Sequence, residues 1–117
     1  MEEKFVYMTD EQIAERKAKV AAIEGLAELR AAIGATNTVV GDFDKVSDHL
    51  RDIDEMRAAF PRAAAYLEAE RWIYSGDPVK VRLAARALEK LLDGEDPKTV
   101  IQEMSRALDA FYLAQEG

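Results

Sequence analysis

The chain predicts an all-α fold, a compact bundle of about five helices in one domain spanning 1–117, and three observations lead there. Helix starts are punctuated by proline at Pro61, Pro78 and Pro97, the last two each preceded by an aspartate. Pro is preorganised for the first position of a helix, where its missing N–H costs nothing. Apolar residues recur at three- and four-residue spacing through most of the chain, the mark of helices with one buried face. Composition agrees: 117 residues, 49% apolar and 33% charged, suit one folded domain with a core of moderate size. The predicted helices cover 10–33 (kinked near Gly25), 43–60, 61–75, 78–93 and 97–115, with a short extended N-terminal segment at Phe5–Tyr7.

The first helix opens at Asp10. Thr9 is its N-cap, Gln12 completes a capping box, and Met8 with Ile13 forms a hydrophobic staple. Its apolar residues Ile13, Val20, Ile23 and Ala27 share a face, but Leu26, Leu29 and Ile33 point elsewhere, which argues for a kink at Gly25. The connector Gly34–Asp42 follows, with an extended piece expected at Thr38–Val40. In the second helix Phe43, Val46, Leu50, Ile53 and Phe60 form an apolar arc. Pro61 disfavours helical backbone at Phe60 and so sets a boundary. Asp77 caps the helix that begins at Pro78. That helix has the widest apolar arc (Val81, Ala84, Ala85, Leu88, Leu91 and Leu92) and is expected at the centre. The last helix begins at Pro97 and carries Val100, Ile101, Met104, Leu108 and Phe111 inward. The spacing of the proline starts approaches the ~34-residue helix-pair period of tetratricopeptide arrays. The large aromatic positions of that motif are missing, which favours a bundle.

The net charge of −7 places direct nucleic-acid binding at a disadvantage, because phosphates repel such a surface. No apolar run approaches the ~18 residues of a membrane span, and "MEEKFVYMTDEQ" lacks the pattern of a secretory signal. With no cysteine there is no disulfide and no thiolate chemistry. A soluble cytoplasmic protein is the expectation. Phosphate-binding loops, dinucleotide fingerprints, Gly-x-Ser-x-Gly and His-Glu-x-x-His are all absent, which counts against the common enzyme classes. The chain is therefore expected not to be an enzyme, and no catalytic residue, metal ligand or cofactor is assigned.

Charge is unevenly spread. The stretch "GDFDKVSDHLRDIDE" (41–55) holds six acids against Lys45 and Arg51, together with the only histidine, His49. On a helix, Asp44, Asp48, Asp52 and Glu55 fall opposite the apolar arc and form a solvated stripe. Calcium ligation needs alternating ligands around a central Gly, and di-iron bundles need Glu-x-x-His pairs; neither occurs here. His49 lies at the margin of the arc, where hydrogen bonding to Asp52 or Lys45 is the expected role. Farther on, Arg82, Arg86 and Lys90 make a basic strip whose economical counterpart is an acidic stripe of this chain or of a partner.

Polar residues inside an apolar arc carry more information. Arg57 falls among Leu50, Ile53 and Phe60, and Glu70 among Ala63, Leu67 and Tyr74. Burial of either alone would cost several kcal/mol, so they are expected to pair with each other or with His49. A polar pocket of Arg57, Glu70, Tyr66, Tyr74 and His49 is the alternative to a plain rim ion pair. Trp72 and Leu113 point away from their helices' core faces and are the apolar candidates for a partner or dimer surface, with packing on a further helix of the core the other reading of Trp72.

The functional expectation is a non-enzymatic protein–protein interaction module: an adaptor, regulator or inhibitor whose acidic face meets a basic protein surface by mimicking nucleic-acid charge. A small-molecule-binding or enzymatic bundle centred on Arg57 and Glu70 is the alternative, and a structural homodimer through Trp72 or Leu113 is the third reading.

Overall fold

The computed structural model describes residues 8–39 and 41–116, so the expectation for Phe5–Tyr7 lies outside the described residues. Among the described residues there are six α-helices and no strand: α1 (Asp10–Ala21), α2 (Leu26–Gly34), α3 (Phe43–Ala59), α4 (Pro61–Ile73), α5 (Pro78–Leu92) and α6 (Pro97–Glu116). The all-helical expectation holds, with one more helix than predicted.

The extra helix arises at Gly25. A kink was expected there, but the helix breaks: α1 stops at Ala21 with Ala22 as its C-cap, and Gly25, in a left-handed conformation (φ 78°), is the N-cap of α2. The Phe60 ring lies against the bare Cα of Gly25, so the α1–α2 break and the α3–α4 corner interlock. The connector also differs from expectation. Residues Ala35–Thr38 form a 3-10 turn rather than an extended piece, and Val40 lies outside the described residues. Thr38 Oγ1 donates to the Ala35 carbonyl at 2.6 Å, closing the turn locally.

The caps form where the sequence marks them. Thr9 and Gln12 exchange both capping-box bonds, at 2.9 and 3.1 Å. The Asp42 carboxylate accepts from the Lys45 amide at 3.2 Å and opens α3. The Asp77 carboxylate accepts from the Val79 amide at 2.9 Å and, on its other oxygen, from the Tyr112 hydroxyl at 3.0 Å. Asp96 accepts from the amide and hydroxyl of Thr99, at 2.9 and 2.8 Å. Both carboxyls are held below their ordinary pKa, Asp77 chiefly by the Tyr112 hydroxyl and Asp96 chiefly by the Thr99 amide.

A carboxyl depressed in the folded state contributes stability above its unfolded value, and that contribution fades as pH falls through the lower folded value. Thermal stability should therefore drop below about pH 4. The double variant Asp77→Asn/Asp96→Asn should show a shallower drop in a pH series of melting curves. An unchanged slope would mean that these caps do not govern acid lability.

The core is assembled around α4. This helix packs against α2, α3, α5 and α6, whereas α5 meets α1, α4 and α6. The expectation that the Pro78–Leu92 helix is central is thus corrected to its neighbour. Small residues explain the difference: Ala63, Ala65 and Ala69 of α4 are buried, as are Ala84 and Ala87 of α5. Alanine adds little apolar area, yet it lets helix backbones approach on several sides. Leu29, Leu91 and Val100 are the largest side chains fully removed from water.

Two regions are held less tightly. Helix α1 has no buried residue and is anchored by Arg16–Glu89, an ion pair at 2.6 Å. Every residue of α6 from 109 to 116 is exposed. Among the described residues no helix is long and apolar enough to cross a membrane.

Candidate functional site

Helix α3 sits at the edge of the bundle, packed on α2, the 3-10 turn and α4. Ile53 is its one buried residue. The expected apolar arc is therefore only half used: Val46 and Phe60 are partly buried, but Phe43 is 86% exposed and Leu50 48% exposed. The physical reason is reach. Neither α5 nor α6 extends substantially over α3, so its first half has no apolar neighbour to cover that edge.

Asp44, Asp48, Asp52 and Glu55 are all exposed, as their positions opposite Ile53 require. Asp48 engages Arg51 at 2.7 Å on the same helix. Among the described residues, Asp44, Asp52 and Glu55 have no cation within ion-pair distance. At 1.5 Å of rise per residue the carboxylates repeat about every 4.5–6 Å, against one phosphate per ~3.4 Å on a single DNA strand. The stripe is therefore sparser in charge than a nucleic-acid strand.

His49 is occupied structurally. Its Nε2 lies 2.7 Å from the Ala32 carbonyl and 3.2 Å from Thr36 Oγ1, which ties α3 to the end of α2 rather than to Asp52 or Lys45. A ring nitrogen beside a carbonyl must carry a proton, so Nε2–H donates to Ala32. The carbonyl it reaches lies in the last turn of α2.

Arg57 and Glu70 come to one place without pairing. Glu70 accepts both arms of the Arg30 guanidinium, at 2.6 and 3.3 Å, while Arg57 makes a 3.6 Å contact with Asp54 on its own helix. The bond to Glu70 raises the Arg30 pKa against the opposing effect of burial. Both Arg57 and Glu70 line a cleft of about 390 Å³ between α2, α3 and α4, and Tyr74 stands exposed at its rim. Tyr66 belongs to the core instead; burial pushes its phenol above the ordinary value, and the Glu70 charge adds to this. Arg30 is the residue that sequence reasoning missed. It sits on a short helix whose other charged residue is Glu28, and only the packing of α2 on α4 brings it to Glu70.

Trp72 is partly buried at the edge of the core, with Lys80 Nζ 5.6 Å from its ring centre, a cation–π arrangement. Leu113 is 67% exposed on the overhanging end of α6. Lys90 of the basic strip pairs with Glu103 of α6 at 3.1 Å. Among the described residues, no three acidic, histidine or cysteine side chains gather as a metal site.

No protein-family model, no curated protein and no solved structure matches this chain, so its own residues carry the functional reading.

Proposed function

We propose that this protein is a non-enzymatic interaction module that docks through α3 onto a basic surface of a larger protein. The observation that carries this reading is the exposure, on one edge helix, of four carboxylates together with Phe43 and Leu50. Carboxylates steer encounter with a basic surface and set its salt dependence. An aromatic anchor with an aliphatic neighbour supplies the desolvated contact that binding energy needs. Phe43 and Leu50 lie seven residues apart and so share one edge of α3, about 100° or more around the helix from the acidic stripe, so a partner that meets both must span the exposed side of α3. The sole histidine, committed to a backbone carbonyl, supports a structural rather than a catalytic role for the stretch. Trp72, packed under Lys80, belongs less to this surface than Phe43 does; Leu113 keeps the homodimer reading open to light scattering.

The test is affinity capture from host lysate with three baits, at low and at high salt. Wild-type protein should retain a basic partner at low salt and release much of it at high salt. Asp48→Asn/Asp52→Asn should weaken capture by about tenfold at low salt through loss of steering. Phe43→Ala should weaken it by a similar or larger factor at every salt concentration, as loss of an anchor does. Equal retention of the same proteins by all three baits would overturn the proposal.

A further inference from the structure

The cleft between α2, α3 and α4 supports a second function that does not rest on the acidic-face reading. Its volume, about 390 Å³, lies within the roughly 300–1,000 Å³ range of small-molecule sites. Leu29, Ile33, Ala64 and Leu67 make its walls apolar. Small residues keep it open: Ala64 faces it from α4, and a side chain added at Gly34 would meet nothing within 4 Å.

Three arginines surround this apolar space, and they differ in how they are occupied. Arg30 is engaged by both oxygens of Glu70. Arg57 and Arg71 each stand 3.6 Å from an acid three residues earlier on their own helix, Asp54 and Glu68, too far for a hydrogen bond. Their side chains are 50% and 76% exposed. Two guanidinium forks at the mouth of an apolar cleft thus have no hydrogen-bonded acceptor among the described residues. The lining carries Arg30, Arg57 and Arg71 against Glu68 and Glu70, a net single positive charge on a chain of net −7.

We infer that this cleft binds a small amphiphilic monocarboxylate, its apolar body against Leu29, Ile33 and Leu67 and its carboxylate between Arg57 and Arg71. A planar carboxylate is the natural partner of a guanidinium fork, because two parallel charge-assisted bonds form at once. A neutral apolar ligand would leave both forks unused, and the carboxylate of Glu68 disfavours a second negative charge on the ligand.

The test uses octanoate and its uncharged analogue octanamide, titrated into the isotopically labelled protein and followed by amide NMR shifts. Octanoate should move the amides of Ile33, Gly34, Ala64 and Leu67 and bind about tenfold or more tightly than octanamide, the value of a charge-assisted contact. Arg57→Gln/Arg71→Gln should erase that preference, and because both side chains are at least half exposed the fold should persist. Ala64→Leu, which fills the cleft, should abolish binding of both compounds. Absence of octanoate binding at millimolar concentration would overturn the inference. So would equal affinity for the two compounds, an unchanged preference in the arginine variant, or shifts confined to the apolar face of α1 at exposed Ile13 and half-buried Val20.

Discussion

Gly25→Ala should destabilise the protein by about 2–5 kcal/mol, a large part of the 5–15 kcal/mol that holds a typical domain together. Two costs combine. The left-handed backbone at φ 78° places an L side chain under strain worth roughly 1–2 kcal/mol. The new methyl would also overlap the Phe60 ring, and overpacking of this kind costs about 1–3 kcal/mol. Urea denaturation separates the two if Gly76→Ala is measured alongside. Gly76 has nearly the same φ, 80°, but open space where a Cβ would stand, so it reports backbone strain alone. The excess loss at Gly25 measures the Phe60 contact. If both variants lose the same amount, the interlock between the α1–α2 break and the α3–α4 corner contributes nothing.

Arg62→Met should cost about 2–3 kcal/mol, although Arg62 is neither fully buried nor salt-bridged. Its guanidinium donates from Nη1 to the carbonyls of Leu91 and Glu95, both at 2.8 Å, and more weakly from Nη2 to that of Gly94 at 3.4 Å. These carbonyls lie at and just beyond the C-terminal end of α5, where the helix runs out of amide donors of its own and the dipole favours a cation. The same end is already shaped by a left-handed Gly94 (φ 89°), whose amide reaches Leu91 while that of Glu95 reaches back to Lys90. This is the Schellman pattern of helix termination. Arg62 therefore braces a preformed turn and joins α4 to the α5–α6 corner. Hydrogen exchange should show faster opening of the last turn of α5 in Arg62→Met. Arg62→Lys should recover less than half of the loss, since a point charge cannot span the carbonyls as a planar fork does. A stability within about 0.5 kcal/mol of wild type, the usual range for a surface change, would show the brace to be idle.

Arg62 also shows what a sequence conceals. It occupies the second position of α4, where a cation opposes that helix's own dipole. That local mismatch was the available signal, and its explanation lies in a different helix some thirty residues on. Glu70 is a similar case. Its place among apolar residues points to a partner, and Arg57 is the natural candidate because it too falls inside an apolar arc. The packing of α2 on α4 supplied Arg30 instead, and so left Arg57 at the mouth of a cleft.

The local features were legible without tertiary information. Thr9, Asp77 and Asp96 cap helices because a short polar side chain can close its own next turn, and Pro61, Pro78 and Pro97 begin helices because their φ suits that position. The exposure of Asp44, Asp48, Asp52 and Glu55 also followed from the helical period once Ile53 faced inward. These are interactions within about one turn of chain. Tertiary structure decided what depends on neighbours distant in sequence: that Gly25 breaks rather than bends, that alanine-rich α4 is central, and that Phe43 and Leu50 stay uncovered. Periodicity shows which face of a helix is apolar, but whether another helix reaches far enough to bury it is a property of the whole packing.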